Sequence, residues 1–390
     1  MKGTYEIKIE GFDWGCGITE VTLCLENPIE IEKDKLVVKE TKQVTDFTKI
    51  PEFPILVQTF ERTIKDVEKI NDKEYKVKLG VSPSEGSPLL FSMKTMFNTW
   101  SDPYDLTFIA DGEKLDLTYA GKKMTSDIFS YDSFTASDGV KLEYAYYEPK
   151  EKTDRLVIWL HGLGEGGVDH TDPSVTVMAN KVTSLVSDSF QEMMQGTNVL
   201  VPQSPTFWMD QDGTGGNLLG GEIKADGTSY YLQSLTELIQ MYQKKINAKK
   251  TVLSGCSNGG YMTMVMAMHH PEMFDAYVPI CEAVNDKYIS DEQIEGLKQL
   301  PIYFVYSKDD TTVIPENYEI PTIERLLKAG AENVYVSTTD HVIDTSGLYM
   351  NKDGTPYKYA GHWSWIYFFN NECDADGLKA WDFVKKYLGV

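Results

Sequence analysis

Residues 251–270 read TVLSGCSNGGYMTMVMAMHH: a short apolar run, then Gly255-Cys256-Ser257-Asn258-Gly259, then a helix-forming stretch that stops before Pro271. A chain that passes from strand to helix through one serine flanked by glycines forces that serine into a strained turn, with its Oγ standing above the sheet edge. The N-terminus of the following helix favours negative charge developing there. A bare G-x-S-x-G is common as a Gly/Ser-rich turn, so it is the strand before it and the helix after it that mark Ser257 as a candidate nucleophile.

The hydrophobic pattern around this motif predicts the architecture. Short period-two runs occupy the first third: Tyr5, Ile7, Ile9; Val21, Leu23, Leu25; Tyr75, Val77, Leu79; Leu115, Leu117, Tyr119. These read as half-buried strands, separated by breaks such as Glu26-Asn27-Pro28, Ser82 to Pro88 and Asp111-Gly112. Residues 1–128 are therefore expected to form an antiparallel, immunoglobulin-like β-sandwich. From about residue 134, continuous apolar runs alternate with helix-like stretches: Leu156 to Leu160, Val199 to Val201, Thr251 to Leu253, Tyr277 to Ile280, Ile302 to Tyr306 and Val334 to Val336. Residues 129–390 are expected to be an α/β domain, a mainly parallel sheet with helices on both faces.

A serine hydroxyl is a weak nucleophile until a base takes its proton and an acid orients that base. In a fold with this motif the chain order is Ser, acid, His. The strand Ile302 to Tyr306 runs into Ser307-Lys308-Asp309-Asp310-Thr311-Thr312-Val313, placing two carboxylates at a strand end. Asp310 and Asp309 compete for the role of acid. All six histidines lie in the expected α/β domain, at 161, 170, 269, 270, 341 and 362, and only His341 and His362 follow the acid. His341 sits just past the last predicted strand. His362 lies in Gly361-His362-Trp363-Ser364-Trp365, where the glycine permits a tight turn and the tryptophans can hold the imidazole by packing. His362 is the favoured base, and the polar segment Asp344 to Lys358 reads as an insertion that returns the chain to the site. His269 and His270 read as a helix end.

Acyl transfer passes through an oxyanion that backbone N–H groups must stabilise. The run Leu156 to Leu160 ends in His161-Gly162-Leu163-Gly164-Glu165-Gly166-Gly167, whose Leu163 N–H would pair with the N–H of Asn258. A phosphate-binding loop fits these glycines badly, because no Lys-Ser/Thr follows and the G-x-G-x-x-G spacing is missing. Between Ser204 and Ser229, a long Gly- and aromatic-rich segment reads as a lid or pocket wall, with Phe207 and Trp208 as candidate lining together with Trp363.

Charge and composition remove other classes. Thirty-seven Lys+Arg against fifty-nine Asp+Glu leave a formal net charge of −22, which disfavours nucleic acid and anionic lipid as partners. No stretch approaches the roughly 20 apolar residues that span a bilayer, and the N-terminal segment has no apolar signal-peptide core. The expectation is a soluble protein, cytoplasmic or secreted with its signal removed. Five cysteines at 16, 24, 256, 281 and 373 show no disulfide or zinc spacing. Cys256 and Cys281 each sit at the end of a predicted central strand, and the sequence does not decide whether they pair. No cofactor and no metal cluster are expected.

Taken together, GFDWG (11–15), HGLGEGG (161–167), GCSNGGYMT (255–263), SKDDTTVIP (307–315) and GHWSW (361–365) resemble two-domain bacterial carboxylesterases, in which an immunoglobulin-like domain precedes an α/β-hydrolase domain. These are related to prolyl-oligopeptidase-like and polyhydroxybutyrate-depolymerase-like hydrolases. The resemblance implies a Ser257, Asp310, His362 triad, with Leu163 and Asn258 at the oxyanion hole. Asp310 matches the α/β-hydrolase spacing, three residues past the small residue ending the strand and three before a valine. It also implies short acyl esters, feruloyl or acetyl esters of plant polysaccharide, or polyesters as substrates, and members that associate through the sandwich domain. The reading is thus a serine carboxylesterase acting on a small-molecule or polymer-borne ester. A serine peptidase or amidase with the same triad is the alternative, and an inactive hydrolase serving as a binding module is the remote one.

Overall fold

The computed structural model describes residues 2–167, 172–216 and 223–390. His170 and residues 217–222, within the segment expected to form a lid, lie outside the described residues. The chain divides into two compact units: Met1–Ile128 with Met178–Lys181, and Phe129–Val177 with Val182–Val390.

The first unit is built of strands β1 (Lys2–Phe12), β2 (Gly15–Leu25), β3 (Leu36–Thr45), β4 (Ile55–Arg62), β5 (Ile64–Asn71), β6 (Glu74–Leu79), β7 (Leu89–Ser92), β8 (Phe97–Trp100), β9 (Tyr104–Ala110), β10 (Glu113–Lys114) and β11 (Asp116–Met124). One sheet has the order β11-β1-β2-β6-β5, a second β10-β9-β3-β4, and β7 and β8 form a hairpin. Alternate residues of the two larger sheets meet in one core that includes Ile7, Val21, Leu23, Val38, Val77 and Phe108. Met178, from the segment later in the chain, belongs to the same core. Three of the four period-two runs are buried throughout, as their alternation predicts. The fourth departs from it. Leu115 precedes β11, and Tyr119 is exposed. The physical reason is that β11 is an edge strand, and it joins β1 in parallel rather than antiparallel.

The second unit holds eight strands: β12 (Ser130–Thr135), β13 (Lys141–Tyr147), β14 (Arg155–Leu160), β15 (Asn198–Gln203), β16 (Lys250–Cys256), β17 (Ala276–Ile280), β18 (Ile302–Ser307) and β19 (Val334–Thr339). Their order is β12-β13-β15-β14-β16-β17-β18-β19. The five pairings from β15 to β19 are parallel, while β13 pairs antiparallel with both β12 and β15. This is an α/β-hydrolase fold, with helices such as Leu232–Ile246, Asn258–His269, Glu319–Lys328 and Ala380–Leu388 between and after the strands. Strands β15, β17 and β18 are buried at every residue, which is why they read as unbroken apolar runs. The β12–β13 hairpin carries no such run: Leu142 and Tyr144 alternate with Lys141 and Glu143. Among the described residues no helix is long and apolar enough to cross a membrane.

Candidate active site

The nucleophile turn forms because glycine alone fits around it. Ser257 has φ 54° and ψ −115°, a strained conformation for a residue with a side chain. Its N–H donates to Ile280 O (2.8 Å), and its carbonyl accepts from Tyr261 N (2.8 Å) at the start of the helix Asn258–His269. A Cβ on Gly259 would lie 2.0 Å from Leu160 O, and one on Gly255 would lie 2.6 Å from Gly259 O. The turn is therefore wedged against the end of β14.

The turn after β18 and the 3-10 turn Gly361–Trp363 converge on Ser257. After β18, Asp310 turns its carboxylate inward: Oδ1 accepts from Thr312 N (2.7 Å) and Val313 N (3.0 Å), while Oδ2 lies 2.7 Å from His362 Nδ1. The other imidazole nitrogen, Nε2, lies 2.8 Å from Ser257 Oγ. Asp310 and His362 are buried, and the His362 ring stands edge-on to Trp365 at 5.6 Å. A carboxylate bonded to an imidazole bonded to a hydroxyl can draw the hydroxyl proton away.

The runner-up pair stands beside it. Asp309 Oδ2 lies 2.8 Å from His341 Nδ1 and 2.9 Å from Lys358 Nζ, and Asp309 Oδ1 accepts from Ser307 Oγ (2.7 Å). Burial would raise the Asp309 carboxyl, but the bonds from Ser307, Lys358 and His341 outweigh it and hold the group at about 2. Neither Asp309 nor His341 is hydrogen-bonded to Ser257 in the structure. The polar segment after β19 folds back on itself: Asp344 N donates to Tyr357 O (2.8 Å) and Tyr359 N to Val342 O (2.9 Å). It returns the chain at Lys358 and Gly361 to the acid turn, and a Cβ on Gly361 would lie 2.5 Å from Asp309 O. The long interval between Asp310 and His362 is spanned in this way.

The glycine loop after β14 opens a 3-10 turn, Leu163–Glu165. The N–H groups of Leu163 and Asn258 each begin a helical turn, where no intrahelical acceptor exists. His161, to which the sequence reading gave no role, holds this loop. Its Nδ1 lies 2.6 Å from Gly162 O and its Nε2 accepts from Ser204 N (3.0 Å), so the tautomer is fixed. Burial lowers His161 to about 4, keeping the ring neutral. Its place just ahead of the loop glycines was the available signal.

Phe207 and Trp208, expected to line a pocket, have no exposed surface. The Trp208 ring packs on His161 at 5.1 Å, and the Trp208 backbone N–H donates to Asn258 Oδ1 (2.5 Å). Trp208 buttresses the two loops instead, touching His161 of one and Asn258 of the other. Trp363 is half-buried against Tyr359 and Trp365.

Buried acids stand behind the acid turn. Burial lifts Glu282 to about 8, and burial with the neighbouring Glu282 and Asp310 carboxyls pushes Glu319 well above its ordinary value. At neutral pH Glu282 therefore adds no full negative charge to the site. Cys256 and Cys281 are both free thiols. Among the described residues, the side chains close enough to share a metal ion are Cys281, Asp310 and His362; their distance apart in sequence hid this grouping.

Comparison with known proteins bears on the family and the fold. The phospholipase/carboxylesterase family model matches residues 144–349. No curated protein matches the chain. Among solved structures, the crystal structure of a thermostable esterase superposes with a TM-score of 0.69 at 22% identity, over 95% of this chain and 96% of that one. A ferulic acid esterase gives 0.44 at 15% identity, over 66% and 98% of the two chains. An acetyl xylan esterase from Aspergillus awamori gives 0.32 at 17% identity, over 48% and 76%. At these identities the first likeness speaks for the fold. With more than half of its length matched by the family model, the chain belongs to the phospholipase/carboxylesterase family and is a serine ester hydrolase.

Proposed function

We propose that the chain is a carboxylesterase in which Ser257 attacks the ester carbonyl, His362 takes the serine proton and returns it to the leaving alcohol, and Asp310 orients the imidazole. Water then attacks the acyl-enzyme with His362 as base. The observation that carries this reading is the unbroken chain from Asp310 Oδ2 to His362 at 2.7 Å and from His362 to Ser257 Oγ at 2.8 Å. The N–H groups of Leu163 and Asn258 bind the oxyanion, held in place by His161 and by the Asn258 to Trp208 bond. Trp363 lines the acyl or alcohol side of the cleft. Given the net charge of −22, the substrates are neutral esters, free or polymer-borne, rather than anionic polymers. The first unit we read as an immunoglobulin-like sandwich, supported by its two facing sheets.

Hydrolysis of short-chain p-nitrophenyl esters and of the matched anilides tests this. The reading predicts turnover of the esters at rates far above the anilides. A chain that cleaves anilides as fast as esters is a peptidase or amidase, and a folded chain that cleaves neither is no esterase.

A further inference from the structure

We propose that Cys281, Asp310 and His362 form a binding site for one thiophilic divalent cation of the zinc type, and that its occupancy switches the esterase off. The switching half of this rests on the function proposed above, whereas the binding half does not.

One potential ligand atom from each of the three side chains lies within 4.8 Å of the other two. Zinc bound at roughly 2.0–2.3 Å to nitrogen, oxygen and sulfur holds its ligands about 3–4 Å apart, so modest rotation of the side chains closes the site. The backbone beneath is already fixed. Cys281 follows β17 at φ 36°, and its N–H donates to Val305 O (2.7 Å). Asp310 spends one oxygen on the Thr312 and Val313 amides, which leaves Oδ2 directed at His362. All three residues are buried, which limits competition by water and strengthens each bond to the ion.

The ligand set selects the ion. A thiolate, an imidazole and a carboxylate, with a fourth position left for water or Ser257 Oγ, suit tetrahedral zinc and its relatives. Magnesium and calcium prefer all-oxygen shells and gain little from sulfur. Thiolate and carboxylate together balance the dication, so no net charge is buried.

Binding and catalysis exclude one another through His362. Coordination forms an S–metal bond and releases the Cys281 thiol proton to solvent; the carboxylate adds an O–metal bond, and no electron is transferred. If the ion takes the Nδ1 lone pair, the imidazole proton moves to Nε2, which then faces Ser257 as an N–H and cannot accept its proton. If it takes Nε2, the lone pair needed for that proton is already used.

The test uses the full-length protein stripped with chelator, with zinc and cobalt(II) chlorides as probes. Zinc is expected to inhibit ester hydrolysis at one ion per chain, while equal magnesium or calcium does not. Cobalt is expected to raise a near-ultraviolet thiolate charge-transfer band in the wild type and equally in Ser257→Ala, where activity plays no part. In Cys281→Ser and Cys281→Ala the band disappears, and the zinc inhibition constant, measured against each variant's own rate in chelator, rises at least about tenfold. Cys256→Ser keeps both signals. The proposal is overturned if the wild type gives no thiolate band, or if a folded Cys281 variant is as zinc-sensitive as the wild type. Absence of ester turnover in chelator, with the band present, would refute the proposed function and leave the site standing.

Discussion

His362 and His341 carry the same side chain at the same end of the sheet, and what separates them is their partners. His362 is buried between Asp310 and Ser257, while His341 is exposed and spends its Nδ1 on Asp309. His362→Ala is therefore expected to lower kcat for p-nitrophenyl esters by about 10⁴-fold or more, whereas His341→Ala stays near the wild-type rate. Steady-state kinetics on both folded variants checks this. Glu282 supports a second prediction. Its carboxyl stands at about 8 in the fold against 4.5 for the ordinary group, so the native state holds the extra proton between those values. Its stabilising contribution is complete below pH 4.5 and is lost as pH rises through 8. Glu282→Gln retains an acceptor for Val284 N and cannot ionise, so it should flatten the decline in Tm between pH 5 and pH 9, as read by thermal melts across that range. At this scale the strand, glycine turn and helix singled out Ser257, while Asp310 was preferred to Asp309 only by the resemblance. His161 and Cys281 had no such signal, since the groups they meet lie far along the chain, past the ends of other strands: Ser204 for the first, Asp310 and His362 for the second.

Among the elements, the join between β16 and the helix Asn258–His269 determines whether the site exists. Ser257 keeps its strained φ only because the glycines around it let the helix start against the end of β14. Gly259→Ala would drive a methyl group to 2.0 Å from Leu160 O, so a loss of about 3 kcal/mol or more is expected, or failure to fold. Gly296, in the short helix Asp291–Leu297, has nothing within 4 Å of its virtual Cβ, and Gly296→Ala should be neutral or stabilising by up to about 1 kcal/mol. Urea melts of the pair measure the contrast. The same geometry explains which elements the sequence reveals. Strands buried on both faces, such as β17 and β18, stand out as apolar runs. The β12–β13 hairpin pairs at one side of the sheet and mixes charged with apolar positions, so its signal sinks into the surrounding loops. The turn carrying His362 is a single 3-10 turn with no periodicity at all, and only its Gly-His-Trp chemistry identifies it.

Across the whole molecule, the division into two units was legible as a change of hydrophobic period near residue 130. The inclusion of Met178–Lys181 in the first unit was not, because four residues carry no period of their own. Met178 is fully buried in the core of that unit. Met178→Ala should destabilise it by about 2–5 kcal/mol, and calorimetry should show the loss in the transition of that unit. The account as a whole rests on Ser257 being a nucleophile activated by His362. A fluorophosphonate tests that most directly, because it phosphonylates only an activated serine and needs no knowledge of the natural ester. Incubation with the probe, followed by peptide mass spectrometry, is predicted to place a single adduct on Ser257 in the wild type, with none in Ser257→Ala and sharply slowed labelling in His362→Ala. A folded wild-type protein that stays unlabelled, or one labelled at a different serine, would contradict it.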